Sequence, residues 1–170
     1  MDIGTGSQQA IGGAATRSTA TADAAQIRHD RERPLVLIVE DDPHDWELYG
    51  KILYYNGYDV MYASDGESGY VLAQLHHPDL ILLDLVMPRL DGLALCARLQ
   101  GTPEQAHIPV VVLSACSERE FGPRARAAGC VRYLEKPARP VQVLHEIEAI
   151  IGRPPAPGVG RPPLEHPAVA

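Results

Sequence analysis

The sequence predicts an α/β fold, a five-stranded parallel sheet covered on both faces by five helices. Three observations carry this. Five short apolar runs between residues 35 and 136 are each followed by a helical segment, in strict βα alternation. Residues 35–39, 80–83 and 110–113 are continuously apolar rather than alternating, as strands buried on both faces are. The Gly, Pro, Asn and Asp residues fall mostly between the runs, where turns and helix caps need them.

The elements follow in order. Leu35–Val39 (LVLIV) is the first strand. Residues 45–55 place Trp46, Tyr49, Ile52 and Leu53 at helical spacing, and Asn56–Gly57 stops that helix. Residues 58–63 form the second strand. Asp65 caps a helix over 66–76, with Pro78 beyond its end. Residues 80–84 are the third strand, and 93–100 a helix closed by Gly101. Residues 109–115 are the fourth strand. Residues 118–128 read as a poor helix, because Gly122–Pro123 interrupts them. Residues 130–136 are the fifth strand. Pro140 suits a first helical turn and opens a helix whose Val141, Leu144, Ile147 and Ile151 share one apolar face. Right-handed crossovers limit the topologies open to such a chain.

The folded unit spans about residues 34–152. Residues 1–33, rich in Ala, Thr, Gly and Ser, bury too little apolar surface to offset their ordering entropy and are expected to form a flexible arm. Residues 153–170 are rich in Pro and Gly and are expected to be a disordered tail. Hydrophobic residues make up 45% of the 170, enough for a core, and aromatics only 5%, so that core is aliphatic. A net charge of −7 argues against a nucleic-acid partner engaged over the whole surface. Three cysteines, Cys96, Cys116 and Cys130, lack zinc-site spacing and fit a reduced, cytoplasmic compartment. No apolar run is long enough for a membrane span, and the N-terminus lacks a signal-peptide pattern.

In a doubly wound sheet, ligands gather beyond the carboxyl ends of the strands. Strand one ends on Glu40–Asp41–Asp42, strand three on Asp84, strand four on Ser114 and strand five on Lys136–Pro137. Strand two ends on the chemically bland Ala63–Ser64. Clustered carboxylates raise one another's pKa. A hard divalent cation relieves that conflict, and oxygen ligands without Cys or His favour Mg²⁺. A carboxylate beside such a cation and a lysine is placed to attack phosphorus.

At these residues the sequence resembles the receiver domain of two-component response regulators. The matching pieces are LIVEDD (37–42), DLILLDLVMPRLDG (79–92), VVVLSA (110–115) and YLEKP (133–137), in the family's order. The resemblance implies a flavodoxin-like sheet of order 2-1-3-4-5, with Asp84 the phosphoacceptor. It implies Mg²⁺ held by Asp41, Asp84 and the Val86 backbone carbonyl, with Glu40 acting through water. Ser114 matches the hydroxyl that bonds the phosphoryl group, Tyr133 the aromatic switch and Lys136 the phosphate-pairing lysine. Pro137 matches a proline often preceded by a cis bond. Glu40 replaces the commoner Asp, and Ser114 the commoner Thr.

The function expected is a stand-alone response regulator. A histidine kinase or histidine phosphotransfer protein would donate to Asp84, and a downstream protein would read the result. No enzymatic activity is expected beyond self-phosphorylation and self-dephosphorylation, and homodimerisation is left open. The alternative is a docking or dimerisation module of receiver fold that works without phosphorylation. A Mg²⁺-dependent phosphatase is disfavoured, because its usual second Asp falls at Val86. Apolar Val86 and Cys116 should also orient a hydrolytic water poorly, prolonging the phosphorylated state. Asp42 reads equally as ligand or helix cap, and Asp91–Gly92 as a turn. Residues 117–139 carry six basic residues against three acidic ones, a solvated face or a partner surface.

Overall fold

The computed structural model describes residues 31–87 and 91–155. Residues 1–30 and 156–170, most of the expected arm and tail, lie outside the described residues. Within them, β1 (Leu35–Val39), β2 (Asp59–Ala63), β3 (Leu80–Leu83), β4 (Val110–Ser114) and β5 (Arg132–Glu135) alternate with five helices. These are α1 (Pro43–Tyr55), α2 (Gly66–His76), α3 (Gly92–Gln100), α4 (Glu118–Ala127) and α5 (Pro140–Ile151). All strand pairs are parallel and their order is β2-β1-β3-β4-β5, the flavodoxin-like arrangement.

Side chains alternate across a strand, so each apolar run feeds two cores. Leu37, Val39, Ile81, Leu83, Val110 and Val112 pack on one face with Ala73 of α2, Leu95 and Leu99 of α3 and Ala125 of α4. Val36, Ile38, Leu80, Leu82, Val111 and Leu113 pack on the other with Leu53 of α1 and Val143 and Ile147 of α5. This is why β1, β3 and β4 are buried at every position while the edge strands β2 and β5 are only partly buried. Burying one such aliphatic side chain contributes about 1.5–3 kcal/mol.

The caps fall where the sequence places them. The Asp65 carboxylate accepts the N–H groups of Glu67 and Ser68 at the start of α2. Asn56 ends α1, and Gly57 takes φ +96°, a value unfavourable for other residues. Asp91 accepts the Ala94 N–H and so caps α3 rather than merely turning the chain.

α4 departs from expectation, since the helix runs unbroken through Pro123. The proline removes the N–H that would reach the Arg119 carbonyl, but it lies on the exposed side, where water can serve that oxygen. Phe121 and Ala125 hold the other side against the core. Ser117 makes no side-chain cap, and Glu135 accepts the Glu118 N–H at 3.1 Å in its place.

Arg31 and Arg33 pair with Asp79 and Asp59 at 3.5 and 3.7 Å, so residues next to Pro34 touch the domain. No helix among the described residues is long and apolar enough to cross a membrane.

Candidate functional site

Strand register builds the site. Val39 pairs with Leu83, so the residues that follow, Glu40 and Asp84, emerge side by side beyond the carboxyl edge. The Asp84 N–H still bonds the Val39 carbonyl at 3.0 Å, although β3 itself stops at Leu83. Ser114 pairs with Glu135, and Lys136 follows at once, with its N–H on the Ser114 carbonyl at 2.8 Å. The Lys136–Pro137 peptide is cis. Leu85 leads into the β3–α3 connection, where Gly92 lies against Asp84. A Cβ there would meet the Asp84 carbonyl oxygen and approach Leu85 Cα to 2.8 Å.

Asp84 is only 7% exposed and Glu40 5%. Oxygens of Glu40, Asp41 and Asp84 all lie within 4.8 Å of one another, Asp41 being the exposed member. Lys136 Nζ reaches Glu40 at 2.6 Å, Asp45 at 2.7 Å and Asp84 at 2.9 Å. Burial alone would lower the Lys136 pKa, but Asp45, Glu40 and Asp84 outweigh it and hold the ammonium above its ordinary value. Glu40 is pushed up by burial, only partly offset by Lys136. Three carboxylates therefore share the Lys136 ammonium, and the Asp41 carboxylate stands beside Glu40 and Asp84. The set is oxygen-only, tightly spaced and short of positive charge, and it fits a hard divalent cation.

The Asp84 carboxylate divides its work. Oδ2 faces Lys136, while Oδ1 accepts the Val86 N–H at 3.1 Å, which brings the Val86 backbone to the site and leaves its side chain 59% exposed. Ser114 is fully buried, and its Oγ accepts the Cys116 N–H at 3.3 Å. Tyr133 is buried with its hydroxyl donating to the Cys116 carbonyl at 2.8 Å. Burial, with the neighbouring Cys116, Glu135 and Asp84 adding to it, pushes the Tyr133 phenol up to about 12.

The structure thus brings together Glu40, Asp41, Asp84, Lys136 and the Val86 backbone, with Ser114, Cys116 and Tyr133 linked by hydrogen bonds alongside. Asp42 stands apart as the N-cap of α1. The His44 N–H it accepts at 2.8 Å favours its charged form and keeps its pKa low. Sequence reasoning missed Asp45. Its signal was faint: Asp45 lies in the first turn of α1, which rises from the edge where strand one ends.

The response regulator receiver domain family matches residues 36–148. Over 120 residues the chain is 38% identical to the DNA-binding dual master transcriptional regulator RpaA of Synechocystis sp., covering 71% of this chain and half of RpaA. It is 32% identical over 117 residues to the polar-differentiation response regulator DivK of Brucella ovis, covering 69% of this chain and 95% of DivK. A solved receiver domain of a Pseudomonas aeruginosa sensor histidine kinase, with magnesium coordinated in its active site cleft, superposes with a TM-score of 0.66. That pair is 26% identical over 71% of this chain and 98% of that one. Five parallel strands in the order 2-1-3-4-5, an acidic cluster and a lysine at their carboxyl edge, and the match over 36–148 have one reading: the chain belongs to the response regulator receiver family.

Proposed function

We propose that Asp84 accepts a phosphoryl group from the phosphohistidine of a histidine kinase or a histidine phosphotransfer protein, and that a protein partner reads the change. The observation that carries this reading is the Asp84 carboxylate itself, held at 2.9 Å from Lys136 within a buried group short of positive charge. An Asp84 oxygen forms the P–O bond as the P–N bond of the donor breaks, and the electron pair goes to the imidazole nitrogen. Lys136 follows the charge from the carboxylate to the phosphoryl oxygens. Ser114 turns its hydroxyl hydrogen to the same group. Asp41, Asp84 and the Val86 carbonyl are the direct Mg²⁺ ligands in this reading, and Glu40 acts through water. The ion supplies further charge stabilisation for the phosphoryl oxygens.

The chain works as a regulator and not as an enzyme on other substrates. Incubation with Mg²⁺ and a phosphoramidate should add one phosphoryl mass, and the addition should vanish in Asp84→Asn or with a chelator. Labelling that survives either treatment refutes the assignment.

A further inference from the structure

Lys136 binds a third carboxylate, Asp45, besides the buried pair Glu40 and Asp84. A lysine ammonium has three N–H donors. Here three carboxylates stand at hydrogen-bond distance, Glu40 at 2.6 Å, Asp45 at 2.7 Å and Asp84 at 2.9 Å. The three are not equivalent. Glu40 and Asp84 are buried residues from strand ends, whereas Asp45 comes from the first turn of α1 and is 31% exposed. Once Asp84 is an acyl phosphate, its carboxyl is no longer a full anion, and its bond to Lys136 is the one that can pass to a phosphoryl oxygen. The other two must then hold the ammonium in place.

We propose that Asp45 is a positioning residue for phosphoryl transfer: with Glu40 it fixes two of the three donors of Lys136 and aims the third at Asp84. α1 suits that task. Its first turn is set by the Asp42 cap and by Pro43 at the helix start, and Tyr49 and Leu53 anchor its inner face in the core. Asp45 therefore reaches Lys136 from a rigid element, while Lys136 sits on a long flexible stem. Without Asp45 the ammonium has two anchors fewer at the moment of transfer than the three it starts with. Orientation then depends on Glu40 alone.

This assignment rests on Asp84 being the phosphoacceptor. The test uses the full chain with Mg²⁺ and a phosphoramidate, and reads the maximal rate and the donor KM separately. Asp45→Ala should lower the maximal rate about tenfold, the worth of one charge-assisted hydrogen bond, without raising KM, because the lost charge was repelling an anionic donor. Asp45→Asn keeps an acceptor oxygen and should recover the rate to within about twofold. In the metal-free chain, the Lys136 ammonium protons should exchange with water faster in Asp45→Ala than in the wild type or Asp45→Asn. A wild type that takes no label overturns the phosphoacceptor reading and this assignment with it. A labelled wild type matched in maximal rate by Asp45→Ala overturns this assignment alone, as does an Asp45→Asn variant as slow as Asp45→Ala.

Discussion

Lys136→Met tests whether one ammonium holds the acidic edge together. Methionine keeps most of the stem and removes the charge. The side chain is only 15% exposed, so screening by solvent is incomplete. Without it, Glu40 and Asp84 face each other with oxygens no more than 4.8 Å apart. Two full charges at that distance repel by about 3.5 kcal/mol at an effective dielectric constant of about 20. The molecule can avoid this by protonating Glu40. From the ordinary value of 4.5 to about pH 7, that costs about 3.4 kcal/mol, at 1.36 kcal/mol per unit. The two routes agree, so the metal-free variant should lose about 3 kcal/mol at about pH 7. The sign with pH follows. Burial already raises the Glu40 pKa in the fold, and losing Lys136 raises it further. A carboxyl whose folded pKa exceeds its unfolded value binds its proton more tightly in the fold, so the variant loses stability as pH rises from 4.5 through the folded value. The gap to wild type should therefore shrink as pH falls towards 4.5. Urea unfolding of both proteins in a chelator at the two pH values measures it. Saturating Mg²⁺ should also narrow the gap, by supplying another cation. An equal loss at both pH values would mean that stem packing, not charge, was removed, and would refute the reasoning.

Other changes probe the scaffold and the switch. Gly92→Ala drives a methyl group into the Asp84 carbonyl and should cost about 2 kcal/mol in urea unfolding, with slower labelling because the Asp84 backbone must shift. Asp65→Ala takes away the acceptor of the Glu67 and Ser68 N–H groups and should cost about 1 kcal/mol in the same urea unfolding. Tyr133→Phe leaves the Cys116 carbonyl without its donor and should cost about 1 kcal/mol, while the phosphorylated and free forms should become harder to tell apart by amide NMR around α4. The phosphorylated chain should lose phosphate slowly, since neither Val86 nor Cys116 offers a polar side chain strong enough to fix a water, and rapid loss followed by mass would count against that reading.

The sequence made the sheet legible because burial on two faces makes the body of a central strand continuously apolar, as Leu80–Leu83 shows. Asp84 was conspicuous for the same reason: a carboxylate at the end of such a run needs compensation. What escaped were contacts set by helix phase and loop path. Asp45 meets Lys136 across 91 positions of chain, and no periodicity gives the direction in which a first helical turn points. The continuity of α4 was hidden because a Gly–Pro pair is a strong local breaker, whereas Phe121, Ala125 and the capping Glu135 that hold the helix are tertiary. The close approach of Gly92 to Asp84 was likewise invisible, since an Asp–Gly pair explains itself as a turn without further partners.

The proposed function sends a signal from Asp84 by way of Ser114. Phosphorylation acts on a conformational equilibrium only through contacts that differ between its two states. Ser114 is the hydroxyl assigned to such a contact in the proposed function, and its Oγ already holds the Cys116 N–H, whose residue in turn holds the Tyr133 hydroxyl through its carbonyl. Two hydrogen bonds thus join the site to the loop that opens α4. The first turn of that helix is tied to the sheet rather than to its own N-cap: Ser117 supplies no side-chain cap, and Glu135 reaches in from β5 in its place. A shift of Ser114 towards a phosphoryl oxygen would loosen the Cys116 N–H, move the carbonyl that Tyr133 holds and change the cost of seating the first turn of α4. On the proposed function, α4 therefore sits at the end of the hydrogen-bonded chain Ser114–Cys116–Tyr133, and a partner that reads phosphorylation gains by contacting the surface between α4 and β5.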